Sequence, residues 1–251
     1  MKKRLILYPI VFCIVFLVLS VAQDIRDEKR APGQLGGGAA GSPEESQIPV
    51  GDGVHAFSVD VSAPFDREQD GEMDMAWSFT IHIYENGKET GQQTAEGVSD
   101  DYRTEDVNFD GLRDFFVLRS AGAQNGWYSV YTWDDVSGRF LEDPALSGLC
   151  NPRFDRDTGI VKEFVHGSAF AYTELYLKYE DKKLRPIRQI CVYDPDLETM
   201  ISRAEVWDWH GTQWDGEDRS GPDWELAYAA ESSAENEIEM EKGLEEWRIV
   251  K

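Results

Sequence analysis

The chain has 251 residues and carries 48 Asp and Glu against 25 Lys and Arg, a formal net charge of -23. An acid excess of this size repels phosphate backbones and anionic lipid surfaces, which excludes DNA, RNA and a peripheral membrane role. A hydrophobic fraction of 41% with 12% aromatic residues excludes wholesale disorder, and four His with three Cys leave little material for a zinc or redox centre.

Met1 to Arg4 is basic and leads into an uncharged run, LILYPIVFCIVFLVLSVA, over residues 5–22. A basic start followed by an apolar segment marks an exported protein. Ser20-Val21-Ala22 fits the small-x-small pattern of signal cleavage, whereas the length of the run reaches the lower limit of a spanning helix. Residues 1–22 are therefore a signal peptide or a membrane anchor, and any membrane contact runs through them alone. Cys13 follows the bulky Val11-Phe12 and is apolar filler rather than a lipidation site. Residues 23–50 hold almost no large apolar side chain and include GGGAAGSP, the composition of a disordered linker.

From Phe57 the hydrophobic period is two. Phe57, Val59 and Val61 alternate with polar residues, as do Trp77, Phe79, Ile81 and Ile83, so both segments are expected to be half-buried strands. Residues 114–119 (DFFVLR) form a short apolar run. Residues 127–133 (WYSVYTW) are rich in strand formers, and DDVSG supplies a turn before 139–141. Further strands are expected at 160–166, 170–179, 184–193 and 201–209, separated by turn material. No long amphipathic helical pattern appears between 51 and 225. The fold class is all-β, an antiparallel meander of propeller-blade-like or sandwich-like sheets, with the domain at 51–228 and an acidic tail or short helix at 229–251.

Residues 105–114 read EDVNFDGLRD. Asp106, Asn108, Asp110 and Asp114 fall at positions 1, 3, 5 and 9 of a calcium loop. Gly111 sits at position 6, where the turn needs no β-carbon, and Leu112 at position 7 offers its carbonyl. Three carboxylates and an amide oxygen suit Ca2+, a hard cation tolerant of irregular geometry. Position 12, where a helix-loop-helix calcium site needs Glu, is Val117 inside a strand-like run. The expectation is a calcium turn leading into a strand. The competing reading is a turn in which Asp, Asn and Gly only supply loop geometry.

DVNFDGLRDFFVL resembles the calcium loops of FG-GAP, integrin-α-like β-propeller repeats. With YTWDDVSGRF, NPRFD, the VHGSA hairpin and YLKYEDKKL, the stretch 104–189 resembles exported bacterial β-proteins that include immunity proteins against lysozyme-like toxins delivered by type IV secretion. The resemblance implies a calcium-containing antiparallel fold with Asp106, Asn108, Asp110 and Asp114 as ligands. It further implies a loop that plugs a peptidoglycan hydrolase, for which His166, Gly167 and Ser168 are the candidate tip. The motif does not recur: Asp70-Gly71-Glu72-Met73-Asp74 and Trp214-Asp215-Gly216-Glu217-Asp218 lack its spacing, which disfavours a full propeller.

Cys150 and Cys191 are an even pair in an oxidising compartment and are expected to bridge, the alternative being two buried thiols that do not pair. No Cys-x-x-Cys, His-Glu-x-x-His or Gly-x-Ser-x-Gly pattern is present. Trp207, Trp209, Trp214 and Trp224 cluster near Asp208, Asp215 and Asp218, which suits either sugar stacking or aromatic core packing. The leading expectation is a non-catalytic binding domain for a basic protein partner, an inhibitor or immunity factor against a cell-wall hydrolase. The alternatives are a cell-surface adhesion or carbohydrate-binding module and, behind it, a glycoside hydrolase.

Overall fold

The computed structural model describes residues 47–69, 72–196, 198–212, 214, 221–233 and 237–248. The export segment at 1–22 and nearly all of the linker expected at 23–50 lie outside the described residues. Among the described residues no helix is long and apolar enough to cross a membrane.

Three antiparallel sheets follow one another along the chain. Sheet I contains β1 (Ile48–Pro49), β2 (His55–Val61), β3 (Phe65–Gln69), β4 (Glu72–Glu85) and β5 (Lys88–Gly97). The long β4 holds it together, pairing with β2 through Phe79–Glu85, with β3 through its first residues, and with β5 on its other edge. Sheet II is a meander of β6 (Tyr102–Arg103), β7 (Phe115–Ala121), β8 (Gly126–Asp134) and β9 (Arg139–Glu142). A turn of 3-10 helix, Leu146–Gly148, leads to sheet III. Its strands lie in chain order: β10 (Arg153–Asp155), β11 (Ile160–His166), β12 (Tyr172–Glu180), β13 (Lys183–Tyr193), β14 (Ile201–Trp209) and β15 (Trp224–Ser233). One α-helix, α1 (Glu237–Glu245), closes the described part. The all-β antiparallel class is thus the observed one.

The apolar pattern dictates how the layers stack. Phe57, Phe79 and Ile81 of sheet I share a buried cluster with Phe115, Val117, Trp133 and Phe140 of sheet II. Phe116 and Val130, which alternate to the opposite face of sheet II, share a second cluster with Val161, Leu175 and Leu177 of sheet III. The other face of sheet III, with Tyr176, Ile190, Val192 and Val206, packs against Met240 and Leu244 of α1. Sheet II is a middle layer with both faces covered, so Phe115, Phe116 and Val117 are buried in succession. That is why the segment reads as a continuous apolar run rather than as an alternation.

Two boundaries move. The linker cannot extend to Val50, because Ile48 and Pro49 already pair with Phe57 and Ala56, and Val50 is buried in the first cluster. At the other end the domain does not stop at 228. β15 runs on to Ser233, and the expected tail is a docked helix, with Leu244 fully buried.

Candidate metal loop and hairpin tip

The segment between β6 and β7 is pinned from three sides. Asp114 N donates to the Glu105 carbonyl at 2.8 Å, and Arg113 N to the carbonyl of Val50, just after β1, at 2.7 Å. Val107 and Phe109 pack into the second cluster and Leu112 against the first. Val107 and Phe109 thus point away from the side-chain oxygens of Asp106, Asn108 and Asp110. Phe109 (φ 64) and Gly111 (φ 90) both adopt left-handed backbone. For Phe109 this conformation costs about 1–2 kcal/mol, and glycine takes it freely.

The structure brings Asp106, Asn108 and Asp110 together. Asn108 Nδ2 donates to Asp110 Oδ2 at 2.8 Å, and Asp110 N to Asn108 Oδ1 at 3.2 Å. Gly111 N donates to Asp106 Oδ2 at 3.0 Å, and Leu112 N to Asp110 Oδ1 at 2.8 Å. Asp106 Oδ1 is buried with no hydrogen-bond partner. Its neighbour Oδ2 also lies 3.5 Å from Arg156 Nε, a side chain 70% exposed, so this contact neutralises little.

Asp114 does something the spacing did not announce. It is fully buried; its Oδ2 accepts Val107 N and its Oδ1 accepts Trp133 N, both at 2.9 Å. The carboxylate ties the loop to β8, and among the described residues no three carboxylate, imidazole or thiolate groups converge on one point. Burial pushes the Asp114 carboxyl up to about 7, opposed by the Trp133 and Val107 donors and reinforced by the charges of Asp110 and Asp106. Burial likewise raises Asp106, against the Gly111 donor and with Asp110 adding to the rise. The donor set fits a hard cation. Asp106, Asn108, Asp110 and the Leu112 carbonyl lie along one turn, one buried oxygen lacks a donor, and two carboxyls carry charge at a cost that a cation would remove.

His166, Gly167 and Ser168 stand at the β11–β12 connection. Asn125 clamps His166, accepting from its N and donating to its carbonyl, both at 2.9 Å. The turn closes on itself through Gly167 N to the Ala171 carbonyl at 2.9 Å. Ser168 Oγ accepts from Phe170 N and Ala171 N and donates to the Asp194 carboxylate. Gly167 and Ala169 are exposed on this held turn.

The expected Cys150–Cys191 bridge is not formed, and both side chains are buried. Cys150 pairs with Trp127 at the edge of β8, whereas Cys191 sits inside sheet III opposite Thr173 and Glu205. Gln189 Nε2 donates to the Cys191 sulfur at 2.8 Å. The tryptophans are core material. Trp224 is buried in the second cluster, and Trp207, Trp209 and Trp214 pack against it. Asp208 is held by Arg188 through two bonds of 2.6 and 2.9 Å, and Asp215 and Asp218 lie outside the described residues.

No protein family matches the chain, and no curated protein matches it. Two solved structures are similar to it. A Xanthomonas type IV secretion system related protein is 13% identical with a TM-score of 0.48, over 76% of this chain and 97% of that one. A Bacteroides fragilis protein of unknown function is 9% identical with a TM-score of 0.24, over 69% and 92%. Both likenesses are too distant to bear on what this chain does.

Proposed function

We propose that the chain is an exported, calcium-stabilised binding domain, not an enzyme, whose partner is a basic protein of the peptidoglycan-hydrolase kind that it inhibits. The observation that carries the calcium part is the buried, unpartnered Oδ1 of Asp106 in a loop whose other oxygens sit on the same turn. A buried carboxylate oxygen without a donor costs about 1–3 kcal/mol or more, and a bound divalent cation would offset that cost. The partner part rests on the net charge of -23, which favours fast, salt-dependent encounter with a cationic surface.

The test joins both parts. Titrated against a c-type lysozyme and a panel of other peptidoglycan hydrolases, the protein is expected to inhibit at near one-to-one ratio, more weakly as salt rises. Calcium is expected to raise its melting temperature by several degrees, consistent with about 2–3 kcal/mol of linkage at saturating ion. Asp110→Ala, an exposed change, should abolish that rise. No inhibition across the panel sinks the partner reading, and an undiminished calcium response in Asp110→Ala sinks the metal site.

A further inference from the structure

Among the described residues, one face of sheet III is covered at one end and open at the other. Along β13 the residues Gln189, Cys191 and Tyr193 share a face, and across the register they meet Trp207, Glu205 and Arg203 of β14. Gln189 and Cys191 are buried, with Trp207 packed on the second core cluster, whereas Tyr193 is 43% and Ile201 37% exposed. Sheet II covers the first part of this face only. Beyond it lies a cleft of about 730 Å³, walled by Tyr193 and Ile201 and rimmed by Asp194, Asp196 and Glu231.

The charge in this cleft is one-sided. Arg203 is the cation in its lining, and it is bound to the Glu205 carboxylate, which also accepts Tyr193 OH at 2.7 Å and Trp207 Nε1 at 3.2 Å. That leaves three exposed carboxylates around an apolar floor. The rim is also where the hairpin tip is fastened, because Ser168 donates to Asp194. Arg203 already lies 6.0 Å over the Tyr193 ring and opposite Glu231 in the register, and exposed apolar surface beside an excess of carboxylates matches a further side chain of the same kind, apolar along its stem and cationic at its head.

We infer that this cleft is the docking site for an extended, Lys- or Arg-bearing segment of the basic protein partner, with methylene stems on Tyr193 and Ile201 and cationic heads at Asp194, Asp196 and Glu231. This rests on the partner reading above and adds where on the molecule the partner sits. Surface carboxylates alone would attract cations anywhere on so acidic a chain. The apolar wall inside a concave site is what localises the contact.

The probe is a fluorescein-labelled Arg-Leu-Arg-Leu-Arg peptide, read by anisotropy against the full chain in buffer of physiological salt, with its Glu-for-Arg counterpart as reference. The Arg peptide should bind and the Glu peptide should not. Glu231→Lys and, separately, Tyr193→Ala should each weaken binding at least about tenfold. Tyr193→Phe, which keeps the wall, and Glu68→Lys, on β3 of sheet I, should change it less than about twofold. Equal weakening by Glu68→Lys and Glu231→Lys, or no effect of Tyr193→Ala in a variant with unchanged circular dichroism, overturns the assignment. The same variants in the lysozyme assay separate the two claims. If they inhibit as well as the unaltered protein, the cleft falls and the inhibitor reading stands. If the unaltered protein inhibits nothing but the Glu231→Lys and Tyr193→Ala losses of peptide binding hold, the inhibitor reading falls and the cleft stands.

Discussion

Replacing Asp114 with Ala should lower stability by roughly 3–5 kcal/mol, a fall in melting temperature on the order of 10 °C. Two effects of opposite sign compete there. Removing the side chain strands Val107 N and Trp133 N, whose buried bonds to this carboxylate are both 2.9 Å, at about 1–3 kcal/mol each, and leaves a small cavity. It also removes a buried charge whose cost is visible in a carboxyl pushed up to about 7. We expect the lost bonds to win, because they join a loop between β6 and β7 to β8 and hold the apolar residues on either side in register. Asp114→Asn separates the terms: the amide keeps one acceptor but turns an NH2 toward a backbone N–H, so about half of the loss should remain. An Asp114→Ala protein as stable as the parent would show that charge burial dominates.

The same residue sets a pH dependence. Its folded pKa lies above the unfolded value of about 3.9, so between about pH 4 and 7 the native state holds a proton that the unfolded chain has released. In chelator, stability should therefore decline as pH rises through that window. Calcium favours the carboxylate and should flatten the decline, and Asp114→Asn should reduce it to the share of Asp106 and Glu105, whose carboxyls burial also raises.

Asp114 also shows where sequence reading reaches its limit. Its spacing from Asp106 and Asp110 marks it as a calcium ligand, but one of its hydrogen-bond partners, Trp133 N, belongs to a strand 19 residues later and is invisible to any local pattern. Local alternation served where it was applied, since Phe57, Val59 and Val61 lie in β2 and Trp77, Phe79, Ile81 and Ile83 in β4, and runs of strand formers between turns served elsewhere. β11 and β14 occupy the expected 160–166 and 201–209. Neither signal marked β5, KETGQQTAEG, where Ala95 and Gly97 alone are buried. That strand is held by cross-sheet bonds instead, Gln93 Oε1 accepting Phe140 N and Gln93 Nε2 donating to the Phe140 carbonyl. Helix α1 was legible only as sparse apolar positions. Met240 and Leu244 lie four apart on one face, enough to dock a helix and too few to announce one. The cleft was hidden for another reason: its walls come from residues 193–205 and 231, which only the β13–β14–β15 register assembles.

Arg248→Ala should destabilise the protein by roughly 3–5 kcal/mol, the cost of breaking a buried ion pair from one side. The guanidinium, 15% exposed, donates to Glu174 Oε1 at 2.9 Å, Tyr172 OH at 2.8 Å, Glu241 Oε2 at 3.1 Å and Glu245 Oε1 at 2.8 Å. It thereby clasps α1 to the middle of sheet III. Without it Glu174, only 2% exposed, keeps Lys162 Nζ at 2.6 Å and Tyr176 OH at 2.7 Å. Burial by itself would raise the Glu174 carboxyl, but Lys162 and Arg248 reverse this and hold it below its ordinary value. Its contribution is thus present above the unfolded pKa and lost as pH falls through the depressed folded one, so in Arg248→Ala the acid loss should begin at higher pH. Trp247 reports the clasp locally: it stacks on Tyr228 at 5.5 Å and its carbonyl accepts Arg188 at 2.9 Å. Its fluorescence should shift to the red in the variant before sheet III melts. Neutralising both sides with Glu174→Gln and Arg248→Met should restore only part of the stability, because the single change removes one of the two cations that balance the buried Glu174, whereas the double change leaves Lys162 without its carboxylate. A double variant no better than Arg248→Ala would instead place the clasp's value in its hydrogen bonds to α1.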